Sequence, residues 1–409
     1  MQAKRHLVIV GAGFGGLSAA LTFAEAIEKG KQPQFDITVI DKNDYQLYTP
    51  DLYEIAAGSA TIQDSVELKK TVCIDVKLAL AQYHIRFLSA TVNGVNRAHK
   101  TVETSKGVIG YDYLLLSPGS IAFDYGIPGI AEHAVNLKTA HDALQIRESI
   151  MERVQHGLPT RIAVCGAGPA GSELAAELAF VYGRESAGLV SVALVDGGER
   201  VLGAMSPAVS RRAEKRLQKL NVELHHRFRI ASVTADSLTS TTGDTLAADI
   251  IIWTGGVTAN PLMQALGLEL NTHGQLPVAA TFQSAEDSAI FAIGDSAQIP
   301  LPGTDGVFAP QTAYEAVTQG EKVAWNILLH DAGGHLQAYH SRFPGYVVAL
   351  GGKYGVVALP KNIVLSGRIG YLARKIIDFN HFRSVLPFMQ ACAFWYTGMQ
   401  LMNKNDSSV

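Results

Sequence analysis

The chain has 409 residues, 47% of them hydrophobic and 17% charged, with a net charge of −3. That length exceeds one ordinary core, so two or three domains are expected, and the low charge density points to buried parallel strands, a membrane-facing surface, or both. A nearly neutral chain has no general attraction for nucleic acid, and Cys73, Cys165 and Cys392 lack C-x-x-C or metal-ligand spacing, so neither a disulfide framework nor a metal site is expected.

Lys4 and Arg5 precede 18 uncharged residues, Leu7 to Ala24, a pattern shared with signal peptides and membrane spans. The glycines between Gly11 and Gly16 demand a turn there, which argues for a folded segment instead. Leu7–Val10 reads as a buried parallel strand, Gly11-Ala12-Gly13-Phe14-Gly15-Gly16 as a turn, Leu17 to Ile27 as a helix, and Phe35–Ile40 as a second strand ending at Asp41. The unit recurs: strand Arg161–Cys165, turn Gly166-Ala167-Gly168-Pro169-Ala170-Gly171, helix Ser172–Tyr182, and strand Val190–Val195 ending at Asp196. Thirty residues separate Gly11 from Asp41, and thirty separate Gly166 from Asp196. Gly119 to Gly129 reads as a crossing between the units and Trp253–Gly256 as the return. Ile290–Ile293 is a further strand running into Gly294-Asp295, and Gln311–Leu328 has helical periodicity.

These turns carry a specific chemistry. Gly11 permits a sharp strand-to-helix turn, Gly13 lets the backbone approach a pyrophosphate, and Gly16 lets helix and strand pack closely; Gly166, Gly168 and Gly171 repeat the pattern. Phosphates then meet free N–H groups at a helix N-terminus, while Asp41 and Asp196 can accept ribose hydroxyls. Two dinucleotides in one chain point to FAD at the first unit and a nicotinamide at the second. Asp196 would repel a 2′-phosphate and favours NADH, whereas Arg200, four residues on, could attract one.

Beyond Tyr346 lies a third region. Ile369, Leu372, Ile376 and Phe379 recur near helical spacing among Arg368, Arg374, Lys375 and Arg383, and Ser384 to Asn403 carries no formal charge. A helix lying in the membrane surface, a protein contact and a true span are the three readings. Pro387, Gln390, Gly398 and Gln400 weaken the span, and cations beside aromatics favour the interface.

The segments Asp41–Tyr45 with Tyr48–Tyr53, Tyr111–Ser120, Gly126–Gly129 with Leu137-Lys138, Gly166–Glu173 and Phe291–Asp295 together resemble the two-dinucleotide-binding flavoproteins, and within them type II NADH dehydrogenase, the single-subunit NADH:quinone oxidoreductase. The resemblance covers most of the chain. It implies an α/β fold of two Rossmann-like domains with a C-terminal amphipathic helical membrane-binding region. The expected division is 1–120 with 268–345 for FAD, 121–267 for NADH, and 346–409 for membrane and quinone access. It implies that Gly119 and Asp295 serve FAD and that Gly255 serves NADH; the plain alternative for Asp295 is a surface turn. Glu173 is either a carboxylate favoured by the helix dipole or a group near the nicotinamide and flavin rings. Pro310–Glu315 resembles a quinone-site segment, usually Ala-Gln-Thr-Ala-x-Gln, departing from it at Pro310 and Glu315. There Gln311 would serve FAD and quinone, and Glu315 would bring a charge or a proton; the alternative is an ordinary helix start.

The implied activity is hydride transfer from NADH to FAD, then two electrons to a membrane quinone, without proton pumping, on the cytoplasmic face of a membrane or its organellar equivalent. A homodimer is an open option. The rivals are an NADH-sensing flavoprotein acting through a protein partner, and a sulfide:quinone-type reductase, which would need reactive cysteines.

Overall fold

The computed structural model describes residues 4–30, 35–59, 62, 64–342 and 345–407. The first strand, β1 (Arg5–Val10), buries Leu7, Val8, Ile9 and Val10, so both of its faces must be covered. It runs through α1 (Phe14–Glu28) into β2 (Phe35–Asp41), which pairs with it in parallel, Leu7 opposite Ile37. The uncharged run from Leu7 to Ala24 thus forms a strand, a turn and most of a helix. The short α2 (Leu52–Ala56) follows. Strand β3 (Ile85–Ser89) extends the sheet beyond β2, and β4 (Tyr113–Leu116) flanks β1 on its other side.

The second unit comprises β5 (Ala134–Asn136), α3 (Ala140–Gln155), β6 (Thr160–Cys165), α4 (Pro169–Glu185), β7 (Val190–Val195), α5 (Pro207–Lys219), β8 (Glu223–His225) and β9 (Ile250–Trp253). Its strands form a parallel sheet in the order β5-β9-β6-β7-β8. The chain then returns: β10 (Ile290–Ala292) pairs in parallel with β4, and the first sheet reads β10-β4-β1-β2-β3. Four strands correspond one to one between the sheets. The fifth comes from far downstream in the first and from just upstream in the second. Outgoing Ser120–Ala122 and returning Val257–Ala259 pair antiparallel between them. Two Rossmann-like units, the fold class expected from the sequence, are present.

Helix α6 (Ala313–Asp331) crosses α1 at a contact only glycine allows. A Cβ on Gly320 would stand 2.4 Å from the Gly15 carbonyl oxygen and 2.9 Å from Ser18 Cβ. The Ser18 hydroxyl donates to the Val317 carbonyl across the same crossing.

The C-terminal region holds the expected helices and adds strands before them. It opens with an antiparallel meander, β11 (Tyr346–Ala349), β12 (Gly355–Leu359) and β13 (Ile363–Gly367). Their Val and Ile residues favour strands, and glycine turns separate the first two. Helices α7 (Arg368–Val385) and α8 (Phe388–Ser407) follow, parted at Pro387. Among the described residues no helix is long and apolar enough to cross a membrane. Ile369, Leu372 and Ile376 face outward with Phe388 and Met389, each more than half exposed. Arg374 and Lys375 correct the sequence reading: they point inward, not to the rim of that face, and are buried. A helix turns 100° per residue, so 374, 375, 378 and 382 share the core-facing side while 369, 372 and 376 share the other.

Candidate functional site

Two cradles form at the strand-to-helix turns, and they match bond for bond. Gly11 has φ +100°, and a Cβ there would meet the Ser117 carbonyl oxygen at 2.1 Å; Gly166 has φ +110° and lies against Gly255, whose Cα a Cβ would meet at 3.0 Å. A Cβ on Gly16 would lie 1.9 Å from the Gly11 carbonyl oxygen, and one on Gly171 1.9 Å from that of Gly166. The middle glycines, Gly13 and Gly168, face open space, with nothing within 4 Å of a Cβ position. Neither α1 nor α4 has a side-chain cap or an acid in its first turn. Their N–H groups are left for an anionic ligand. Asp41 Oδ2 accepts the Ala12 N–H at 2.8 Å and Oδ1 that of Asn43 at 2.9 Å. Asp196 Oδ2 accepts Ala167 N–H at 2.7 Å and Oδ1 that of Gly198 at 2.6 Å. Each carboxylate is thereby fixed at the lip of its cradle. Burial raises the Asp41 carboxyl above its usual range, opposed by these N–H groups. The Arg200 guanidinium donates to the Gly203 and Met205 carbonyls at 2.7 and 2.9 Å, which ties it into its own loop. These open, donor-rich turns fit the diphosphate of a dinucleotide.

Around the first cradle the structure gathers residues from three distant segments. Asp295 sits in the turn Gly294–Ser296, directly after β10. Its Oδ2 accepts the Ser120 hydroxyl at 2.5 Å, and the Lys138 ammonium donates to the Ser120 oxygen at 2.8 Å. Burial pulls the Lys138 pKa down, and nearby Asp295 opposes the shift. Gln311 Nε2 donates to the Asp295 carbonyl at 3.2 Å, just before Thr312 caps α6 by accepting the Glu315 N–H. Gly119, with φ +74° and open space at its Cβ position, donates its N–H to the Ser296 hydroxyl. Gln311, Asp295 and Gly119 therefore adjoin. Glu315 does not join them: it is fully buried, accepting the Tyr339 hydroxyl at 2.7 Å and the Ser341 hydroxyl at 2.6 Å. The Ser120–Lys138 link was missed from sequence, although both residues lie in segments that carried the resemblance.

Glu173, just past the first turn of α4, belongs to a buried charge cluster. Its Oε1 accepts the Ala349 N–H and Arg374 Nη1, both at 3.1 Å. Arg374 also reaches Asp51 and Asp378 at 2.9 Å each, and Lys375 reaches Glu54 at 2.9 Å. Tyr48 donates to Asp378 at 2.7 Å and stacks on His381, while Phe14 of the first glycine turn lies 4.9 Å from the His381 ring. Burial pushes the Glu173 carboxyl up to about 7 against the pull of Arg374. His381, with no charged partner, is pushed down to about 4 and stays neutral. Four carboxylates face two cations here, so burial favours keeping protons on some of the acids. Acids three apart at Asp51 and Glu54, and Arg374 four before Asp378, were the available signals.

All three cysteines are free thiols, Cys165 is buried in β6, and burial lifts the Cys73 thiol to about 11. A thiolate-based reaction has no support in this arrangement.

Known proteins share the chain's pattern over nearly all its length. It is 29% identical to demethylphylloquinone reductase of Synechocystis sp., covering 93% of each chain. It is 27% identical to the type II NADH:quinone oxidoreductase of Haemophilus influenzae, covering 85% of each. These relatives bear out the resemblance read from the sequence. In fold it superposes on NDH2 from Plasmodium falciparum in complex with NADH, with a TM-score of 0.83 at 18% identity over 99% of both chains. It also superposes on the sulfide:quinone oxidoreductase of Aquifex aeolicus, with a TM-score of 0.76 at 18% identity, covering 92% of this chain and 90% of that one. The family model described as pyridine nucleotide-disulphide oxidoreductase matches residues 5–320, and with both glycine cradles inside that span the chain belongs to this family.

Proposed function

We propose that the chain is a flavin-dependent NADH:quinone oxidoreductase working at a membrane surface. The observation that carries this is the pair of matched cradles beside a site built from Asp295, Gln311 and Gly119, in a chain whose relatives bear that activity in their names. FAD, when bound, would supply the hydride acceptor for NADH and the two-electron donor for quinone. Gly11, Gly13, Gly16, Asp41 and Gly119 would hold it, with Asp295 fixed by Ser120. Gly166, Gly168, Gly171, Asp196 and Gly255 would hold NADH. Glu173, clamped by Arg374, holds a proton near neutrality at the start of the NADH-side helix. Gln311 presents an amide beside Asp295, where it can donate to a quinone carbonyl.

Residues 1–120 with 268–345 would serve FAD, 121–267 NADH, and 346–409 the membrane. The outward face of Ile369, Leu372, Ile376, Phe388 and Met389 supports a peripheral attachment, on the cytoplasmic or equivalent organellar side, through which a lipid-soluble quinone would reach the protein. The deciding experiment is anaerobic addition of NADH followed by a quinone, watching the flavin absorbance. Bleaching by NADH and recovery with quinone is expected. Bleaching without recovery would instead fit an NADH sensor.

A further inference from the structure

NADH oxidation by a quinone consumes a proton: NADH, quinone and H⁺ give NAD⁺ and quinol. The hydride carries two electrons and one proton, so the second quinol O–H bond needs a proton from elsewhere. Resting on the function proposed above, we infer that Glu54 stores this second proton, refilled through a water-sized cavity between α7 and α8.

The geometry begins at that cavity. It has about 10 Å³ of room, enough for about one water. Asp51, Glu54, Thr71 and Asp378 line its inner wall, and half-buried Gly398 and Met399 its outer wall. Asp378 lines it, and its Oδ2 is buried without a hydrogen-bond partner, 3.5 Å from the Lys375 ammonium. A buried carboxylate oxygen in that position needs a donor, and a water is the donor that fits.

From the cavity a line of polar groups leads inward. Glu54 Oε1 lies 2.9 Å from Lys375 Nζ, Lys375 is 3.5 Å from Asp378, and Asp378 accepts the Tyr48 hydroxyl at 2.7 Å. The Tyr48 ring stands 5.9 Å from that of Phe14 in the first glycine turn. The polar line ends at the Tyr48 hydroxyl, whose ring packs beside the first glycine turn, so the store lies between the α7–α8 seam and the FAD cradle. In a delivery step the Tyr48 O–H bond breaks as a quinol O–H bond forms, Tyr48 regains a proton from Asp378, Asp378 from the Lys375 ammonium and Lys375 from Glu54, and water in the cavity reprotonates the Glu54 carboxylate.

The charged surroundings of Glu54 suit this role. Lys375 and Asp378 face it from α7, Asp51 from the turn before α2, and Tyr53 donates to it at 3.2 Å. Glu173 lies beyond Arg374, while Thr71 and the cavity-lining residues of α8 add no charge. Burial holds the Glu54 carboxyl up at about 7, against the pull of Lys375. With Glu54 and Glu173 protonated, Asp51 and Asp378 balance Arg374 and Lys375. Glu54→Gln mimics that neutral state and should fold.

The test uses the FAD-loaded protein with two acceptors. A short-chain quinone takes electrons and protons, whereas ferricyanide takes electrons alone. Glu54→Gln should slow NADH:quinone turnover by about tenfold or more, leave NADH:ferricyanide turnover within about twofold, and abolish the decline of quinone turnover as pH rises through about 7. Glu54→Asp should restore part of the quinone rate. Gly398→Leu, whose side chain would start in open space at the outer wall, should slow quinone turnover selectively by plugging the cavity. Equal slowing with both acceptors, or an unchanged quinone rate and pH profile, would overturn the inference. If Glu54→Gln does not fold, the Gly398→Leu comparison decides alone. Wild-type protein that reduces ferricyanide but no quinone would instead overturn the proposed function.

Discussion

Arg374 holds three carboxylates at once, and its removal should weaken the fold in a pH-dependent way. Its guanidinium lies 2.9 Å from Asp51, 3.1 Å from Glu173 and 2.9 Å from Asp378, with all four side chains at most 10% exposed. Arg374→Leu keeps the aliphatic stem but leaves Lys375 to balance Asp51, Glu54, Glu173 and Asp378. Removing one partner from a buried ion pair costs about 3–5 kcal/mol. The carboxylates can escape that penalty by protonating. Burial already raises Glu54, Glu173 and Asp378 in the wild type, and losing the cation raises them further. For acids raised in the folded state, the native protein binds the extra proton, so stability is greatest below their unfolded values and falls as pH rises through the folded ones. Each such proton changes stability by about 1.4 kcal/mol per pH unit; because the wild type already holds Glu54 and Glu173 at about 7, the further loss in the mutant accrues above that, about 3 kcal/mol for two protons between about pH 7 and about pH 8. The mutant deficit should therefore be about 4 kcal/mol at the higher pH and about 1 kcal/mol at the lower. Urea denaturation of the FAD-loaded protein at both pH values, followed by far-UV circular dichroism, reads this directly. A deficit of equal size at both would refute the argument that the carboxylates, not lost packing, carry the penalty.

Three more outcomes are expected. The wild type should prefer NADH, and Asp196→Ala should lower kcat/KM for NADH by about 10- to 100-fold while narrowing the gap to NADPH, because a hydrogen bond to a charged group is worth about 1.5–3 kcal/mol; a wild type preferring NADPH would refute this and turn attention to Arg200. Gln311→Ala should reduce quinone turnover by about 2- to 15-fold, the worth of one neutral hydrogen bond, while stopped-flow flavin reduction by NADH stays unchanged; equal slowing of both would make the segment structural. Gly320→Ala should lower the unfolding free energy by about 1–3 kcal/mol, seen as a lower denaturation midpoint, and loosen retention of FAD on dialysis, because its Cβ would stand 2.4 Å from the Gly15 carbonyl oxygen. An unchanged midpoint would show that the two helices separate easily.

Local patterns made the cradles legible. Gly11 through Gly16 and Gly166 through Gly171 are contiguous, each apolar run is long enough to name its strand, and each acid closes a fixed interval. The charge cluster was not legible, because its members come from α2 and the turn before it, α4 and α7. Glu173 and Arg374 are 201 residues apart, and Arg374 and Asp51 are 323 apart. In sequence Arg374 and Lys375 look like cations bordering an apolar stripe, and only the rotation of α7 shows that they face the acids. Glu315 illustrates the same limit on a small scale. Its segment was recognisable, but Tyr339 and Ser341, which hold its carboxylate inside, lie in a loop without a pattern of its own. The meander from Tyr346 to Gly367 consists of short apolar runs, which by themselves do not separate a strand from a buried helix segment.

The bond-for-bond match of the two cradles means that neither can distinguish one cofactor from the other. FAD and NADH share an adenosine diphosphate half, and Ala12 with Asp41 would offer it the same grip as Ala167 with Asp196, since each acid holds its alanine N–H alike. Identity must be read at the far end of each molecule, by groups outside the repeat. In the function proposed above, on the first unit those would be Lys138, Ser120 and Asp295, assembled only when the chain has left for the second unit and come back. The protein thus uses one handle twice and tells its two tools apart by what surrounds the working end. A swap of adenosine-gripping residues between the units should leave that assignment in place.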